Sequence, residues 1–156
     1  MSELTHVFEE VKLVYRNKTK AEDRPPVRCA KDAYDILLKS WDLGQINLLE
    51  ECKILLLDRR LRLMSIASIS KGGMSKALVD PKIVFSIALK RRASSFILAH
   101  NHPSGNLQPS QADIKLTELF ILSGKTLELP MDDHLIISED GHLSIMNEDY
   151  IHRELL

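Results

Sequence analysis

Cysteine is scarce in this chain of 156 residues, with only Cys29 and Cys52 present. Two thiols build no disulfide framework and suit a reducing compartment, so a cytoplasmic protein is expected. No apolar stretch approaches the roughly 18 residues of a transmembrane helix, so no membrane span is expected. The opening Met1 to His6 has no apolar core of signal-peptide length, which argues against a secretory leader. An excess of one charge is missing as well. The formal net charge is −1, so nothing draws the chain as a whole toward nucleic acid. Arg59-Arg60-Leu61-Arg62 and Lys90-Arg91-Arg92 are local basic clusters, read as solvated surface, the second at a helix C-terminus where cations complement the dipole. Internal repeats and low-complexity segments are absent. So are H-E-x-x-H, C-x-x-C and G-x-x-x-x-G-K-[ST], which removes ordinary zincins, zinc deaminases and P-loop nucleotide hydrolases.

What remains is a globular composition, 44% apolar and 28% charged, long enough for one domain with a proper core. Val7 to Tyr15 alternates as an edge strand, and the charged, proline-bearing Arg16 to Pro26 is a loop. Ala33, Ile36, Leu37 and Trp41 recur at helical spacing and predict a helix over Cys29 to Trp41. Glu51 to Leu57 and Leu61 to Ile69 read as two strands joined at Asp58-Arg59-Arg60. Lys71-Gly72-Gly73 is a loop. Asp80-Pro81 starts a helix, an N-cap followed by proline at the first helical position, with Ile83, Val84, Ile87 and Ala88 as its buried stripe and an end near Arg92. Ser95 to Ala99 is a buried strand of short residues. A further helix runs from Ser110 to Ser123, turning Leu116, Leu119 and Phe120 inward and stopping at Gly124. His134 to Ile137 and His142 to Met146 form a hairpin about Asp140-Gly141, and Asn147 caps a short last helix. Strands before, between and after helices predict an α/β fold, a single-domain three-layer sandwich on a mixed, curved sheet.

The chemistry concentrates in His100-Asn101-His102, followed by Ser110 and Asp113. Two imidazoles and a carboxylate are the number and type of ligands a catalytic zinc takes, the fourth position being left to water. If the strand persists to His102, the two histidines point the same way, about 6.5 Å apart along the chain at 3.3 Å per residue, and lean onto one ion. Each piece also has an ordinary explanation. Ser110-Gln111-Ala112-Asp113 is a capping-box start in its own right, and a lone H-x-H on a loop is more often solvated than metallated. The two readings coexist, since a cap at Ser110 brings Asp113 to a helix N-terminus near the returning loop. Zinc suits this donor set best, with manganese, iron or nickel as weaker fits. His6, His142 and His152 read as surface residues, and His134 as structural or as a support to a ligand. Cys52 is expected to be buried and inert.

His100-Asn101-His102-Pro103-Ser104-Gly105, with Pro109-Ser110 and Asp113, resembles the JAB/MPN metalloprotease-like domain, also called JAMM, and most of all its bacterial RadC branch. The similarity extends from about Glu50 to Met146 and takes in Leu55-Leu56-Leu57-Asp58, Gly72-Gly73, Asp80-Pro81 and Asp133-His134. It implies a cytidine-deaminase-like sandwich over residues 49–156, with residues 1–48 as a strand-loop-helix extension packed on the same domain. It implies one zinc ion per chain on His100, His102 and Asp113. It also implies an upstream glutamate as general acid and base, placed eight residues before the aspartate that ends the first long strand. That residue is Glu50, with Glu51 as the alternative; on a strand the two face opposite ways.

The activity so implied is a zinc-dependent hydrolase, a metallopeptidase or isopeptidase using a metal-activated water, with Glu50 moving the proton and Ser110 stabilising the oxyanion. A peptide or protein substrate follows. The alternative is a DNA-repair-associated, metal-binding module with little hydrolytic activity; the neutral charge balance gives DNA weak support. The literal string H-N-H does not indicate an HNH nuclease, whose residues come from separated parts of a ββα unit. Oligomeric state has no signature here.

Overall fold

A mixed five-stranded sheet in the order β2-β1-β3-β4-β5 forms the centre of the molecule. The computed structural model describes residues 16, 18–72 and 79–151. Within them the strands are β1 (Glu51–Leu57), β2 (Leu63–Lys71), β3 (Ser95–Asn101), β4 (Met131–Ile137) and β5 (His142–Ser144), and the helices α1 (Ala30–Ser40), α2 (Pro81–Arg91) and α3 (Gln111–Thr126). β1 runs antiparallel to β2 and β3, β3 runs parallel to β4 through the α3 crossover, and β5 returns antiparallel. The expected strand over Val7 to Tyr15 lies outside the described residues.

β1 and β3 are buried along their whole length. That explains why they read as continuous apolar runs rather than alternating ones: both faces of the sheet are covered. Alternation survives in what each side chain meets. Cys52, Ile54, Leu56, Phe96, Leu98 and Ile136 pack with α2 and α3, while Leu55, Leu57, Ile97, Ala99, Leu135 and Ile137 pack with α1. The result is the three-layer arrangement expected. Phe85, Phe96 and Phe120 meet at centroid separations of 5.6–5.8 Å between strand and helices, the edge-on and tilted geometry aromatic rings favour.

The ends of α2 are as their residues dictate. Asp80 accepts from the Lys82 N–H at 2.9 Å, Pro81 occupies the first turn, and Arg92 closes the helix in the left-handed region. Three expectations need correction. α3 does not stop at Gly124 but runs to Thr126. Gly124 is there because a Cβ would lie 2.7 Å from the Leu129 carbonyl oxygen, so the glycine admits the chain into β4. Leu119 on α3 and Ile83 on α2 are exposed, not core. Among the described residues, the segment after β5 up to residue 151 is a run of turns, not a helix. No helix among the described residues is long and apolar enough to cross a membrane.

Candidate metal centre

β3 carries His100 at its end and delivers His102 to the loop that follows. His100 lies on the face of the sheet occupied by Leu98 and Phe96, toward α3. The loop is shaped by its own hydrogen bonds. Gly105 donates to the His102 carbonyl at 2.9 Å with φ +76°, a backbone angle that suits glycine. The N–H of Gln108 donates to the Asn106 side chain at 3.0 Å. α3 then opens with a complete capping box: Ser110 Oγ accepts from the Asp113 N–H, and Asp113 Oδ2 accepts from both the N–H and the hydroxyl of Ser110 at 2.7 Å. Ser110 is thus the cap and also holds the acid in place.

These elements bring His100, His102 and Asp113 together as a group whose ligand atoms lie within 4.8 Å of one another. His100 Nε2 is 3.0 Å from His102 Nε2 and 3.3 Å from Asp113 Oδ1, and His102 Nε2 is 3.6 Å from Asp113 Oδ2. Two nitrogens each about 2.0–2.1 Å from a single zinc ion at the tetrahedral angle lie roughly 3.3 Å apart. The two imidazole nitrogens are close to that spacing, and the carboxylate turns one oxygen toward each of them. The proton inventory fits as well. His102 Nδ1 lies 2.6 Å from the Asn106 carbonyl, an oxygen that only accepts, so Nδ1 carries hydrogen and Nε2 faces the cluster. His100 contacts His134 through Nδ1, at 2.9 Å, and also turns Nε2 inward. Two imidazole nitrogens 3.0 Å apart cannot point bare lone pairs at each other, so either a hydrogen on one of them or a cation lies between them.

The electrostatics agree. Burial pushes His100 down to about 4, with Asp113 pulling the other way. His102 is raised, first by its hydrogen bond to Asp113 and in part by the charge of Glu50, against the effect of burial. Burial alone would raise Asp113, but its contacts with His102, His100 and Ser110 outweigh that and hold it far below the usual carboxylate range. His134 is fully buried and held neutral by that burial. The thiol of Cys52 is pushed up by burial and is inert as a nucleophile.

The two glutamates separate by register. Cys52 pairs with His100 in the antiparallel β1–β3 ladder, so continuation of the ladder sets Glu50 across from His102. Glu50 acts on His102 and on Cys52 through its charge. Glu51 is buried on the α1 side: its Oε1 accepts from Ser68 Oγ at 3.3 Å and lies 3.5 Å from Lys53 Nζ, which spans to the Ser40 carbonyl and the face of Trp41. Asn101 is wholly buried and bonds the segment around Glu50.

His134 is drawn in from β4, 34 positions along the chain, by the parallel β3–β4 pairing. Thr117, on the second turn of α3, contacts it at 2.7 Å. No sequence reading singled out Thr117. Only its place four residues after Asp113, on the same helix face, could have flagged it. His142 stacks on Tyr34 at 4.8 Å, remote in sequence and in role from the cluster.

Comparison with known proteins gives a single pattern. The family described as RadC-like JAB domain matches residues 27–150. Similar curated proteins are a UPF0758 protein of Thermosynechococcus vestitus, 39% identical over 79% of this chain and 46% of the relative, and one of Flavobacterium johnsoniae, 38% identical over 78% and 52%. A third, from Salinibacter ruber, is 32% identical over 96% and 63%. The chain spans about half the length of the first two.

Proposed function

The chain belongs to the RadC-like JAB domain family, and from that premise we propose that it is a zinc-dependent hydrolase of the JAMM type, acting on an amide bond of a peptide or protein. The observation that carries the proposal is the convergence of three side chains: His100 Nε2 and His102 Nε2 lie 3.0 Å apart, and the Asp113 carboxylate sets Oδ1 3.3 Å from the first and Oδ2 3.6 Å from the second. The donor set of two neutral imidazoles and one carboxylate matches zinc better than harder ions. Zinc held there would lower the pKa of water to about 7 and polarise a carbonyl.

The chain's own groups supply the rest. Glu50, across the ladder from His102, takes the proton of the attacking water and returns it to the leaving amine. The backbone of this segment is held by the Gly72 N–H, which donates to the Glu50 carbonyl at 2.8 Å, and by the Asn101 side chain on either side of Glu50. Ser110 can turn its hydroxyl from Asp113 Oδ2 toward the oxyanion, and its N–H, still bonded to the same oxygen, keeps the ligand oriented meanwhile. Neither role requires His142 or Cys52.

Elemental analysis of the purified protein, combined with activity profiling on a peptide and isopeptide library, tests this. One equivalent of zinc, lost in His100→Ala and Asp113→Ala but kept in His142→Ala, and cleavage of some amide substrate are expected. Absence of metal would end the proposal. The DNA-associated alternative has less behind it. Arg62 donates to three backbone carbonyls and Arg91 to Ser65 and Met64, so part of both basic clusters is occupied with the fold. Tight DNA binding that survives physiological salt would reverse the ranking.

A further inference from the structure

Thr117 and His134 stand in single file behind His100, and protons can be placed along that file by elimination. Thr117 Oγ1 lies 2.7 Å from the Asp113 carbonyl oxygen. A carbonyl has no hydrogen to give, so the single hydroxyl hydrogen of Thr117 points there. The same Oγ1 is 2.7 Å from His134 Nδ1. With its one hydrogen committed, the threonine can only accept, and His134 Nδ1 must carry hydrogen. A neutral imidazole then has a bare Nε2. That atom is 2.9 Å from His100 Nδ1, which must donate, and His100 is left with a bare Nε2 facing His102 and Asp113. All three residues are buried, Thr117 and His134 completely, so the order is set by the protein's own donors and acceptors.

We infer that Thr117, acting through His134, sets the tautomer of His100 and so keeps a lone pair on the nitrogen that faces the metal cluster. The inference rests on the metal-centre reading but concerns different residues. A ligating histidine usually hands its second N–H to a carboxylate or a carbonyl, groups that only accept. Here the acceptor is another imidazole, which can present either a lone pair or a hydrogen. An imidazole acceptor is useful only if something fixes it. Thr117 does so, and its own hydrogen is fixed by the carbonyl of Asp113, the third member of the cluster. The file therefore closes on itself: the helix turn that supplies the carboxylate ligand also decides the protonation of the buried histidine ligand. Thr117 and His134 are positioning residues, since neither reaches the cluster.

Thr117→Val keeps the shape and removes the acceptor. His134 then places its hydrogen on Nε2, and His100 is forced to carry hydrogen on Nε2, the wrong nitrogen for a ligand. Thr117→Ser restores the acceptor. Two readouts separate this from a structural role. Two-bond ¹⁵N–¹H spectra of the histidine rings, recorded with zinc and after chelation, should show His134 as the Nδ1–H form in the parent and in Thr117→Ser. After chelation, Thr117→Val should show the Nε2–H form. Zinc affinity from chelator competition should fall by about 10–100-fold in Thr117→Val, the usual cost of losing such a support, and by far less in Thr117→Ser. A parent spectrum with His134 in the Nε2–H form overturns the inference, even if Thr117→Val does not fold. So does a Thr117→Val protein with the parent's tautomers and affinity, or a serine variant as impaired as the valine one. A parent that takes up no zinc would defeat the functional reading instead, while the ring spectra after chelation would still decide this one.

Discussion

Asn101 grips the backbone on both sides of Glu50. Its Oδ1 accepts from the Glu51 N–H at 2.8 Å, and its Nδ2 donates to the Leu49 carbonyl at 2.9 Å and to Ile46 at 2.6 Å. The residue between the two clustered histidines thus reaches away from the cluster and fixes the segment that carries the proposed base. Asn101→Ala should leave one N–H and two carbonyls buried without partners. Unfolding stability should fall by about 3 kcal/mol, read from the denaturant midpoint. Zinc should still bind, because His100 and His102 keep their own supports, while turnover should fall with the loss of Glu50 placement. A variant with parental turnover would mean that Glu50 is held by other contacts.

How far the sequence alone carried this reading depends on how local each signal is. β1 could be bounded at Glu51 and Leu57 because its apolar run lies between Glu50-Glu51 and Asp58-Arg59-Arg60, and α2 because Asp80-Pro81 is a self-contained start. The convergence of His100, His102 and Asp113 was legible because all three lie within fourteen residues, joined by one strand end and one helix cap. Glu50 and Glu51 could be distinguished only by the ladder register with β3, a relation across fifty residues. His134 was legible as structural or as a support to a ligand, but which ligand it supports depends on the β3–β4 pairing that sets it behind His100, and Thr117 has no local pattern that announces it. Leu119 and Ile83 misled because a broad apolar stripe does not say where its edge meets solvent.

Gly124 gives a test of packing against propensity. Alanine in a helix interior is favoured over glycine by about 1 kcal/mol, so propensity alone predicts that Gly124→Ala stabilises. The Cβ would lie 2.7 Å from the Leu129 carbonyl oxygen, a backbone atom that cannot swing aside, and the Leu129 N–H is bonded back to the Gly124 carbonyl at 2.9 Å. Overpacking of this kind costs about 1–3 kcal/mol. A lower melting temperature is expected; a higher one would show that the α3–β4 junction yields easily.

Stability of the chelated protein should fall in acid, between about pH 6.5 and 4. Burial of His134 and His100 is the cause, since both are held below the ordinary imidazole value, and His100 gives the clearer case. Its imidazole is pushed down to about 4 in the fold against about 6.5 unfolded. A lowered histidine favours the fold above the unfolded value, and that advantage is lost as pH falls toward the folded one, here about 3 kcal/mol in all. His102 works in the opposite sense. Its value is raised, so its contribution is complete below about 6.5 and disappears as pH rises through the folded value. Partly exposed to solvent, it offsets only part of the loss. Denaturant midpoints at pH 7, 5.5 and 4.5 measure the balance, and His100→Gln should flatten the acid limb. An unchanged limb in that variant would place the sensitivity elsewhere.

The sharpest division between holding a metal and using it lies at Glu50. Glu50→Gln keeps the shape and a polar group but cannot accept the proton of water. Since Glu50 is not among the three converging ligands, the variant should take up zinc as the parent does and keep its fold. On any substrate the parent cleaves, its rate should drop by about 10²–10⁴-fold, the usual contribution of a placed acid and base. Glu51→Gln is the matched control and should behave in the opposite way. Its carboxylate is buried against Ser68 and Lys53 on the far side of the sheet, so the variant should lose stability while turnover persists. If Glu51→Gln abolishes cleavage and Glu50→Gln spares it, the proton is moved from the other face of β1. If both variants cleave at the parental rate, the hydrolysis needs no carboxylate from this segment and the proposed chemistry fails.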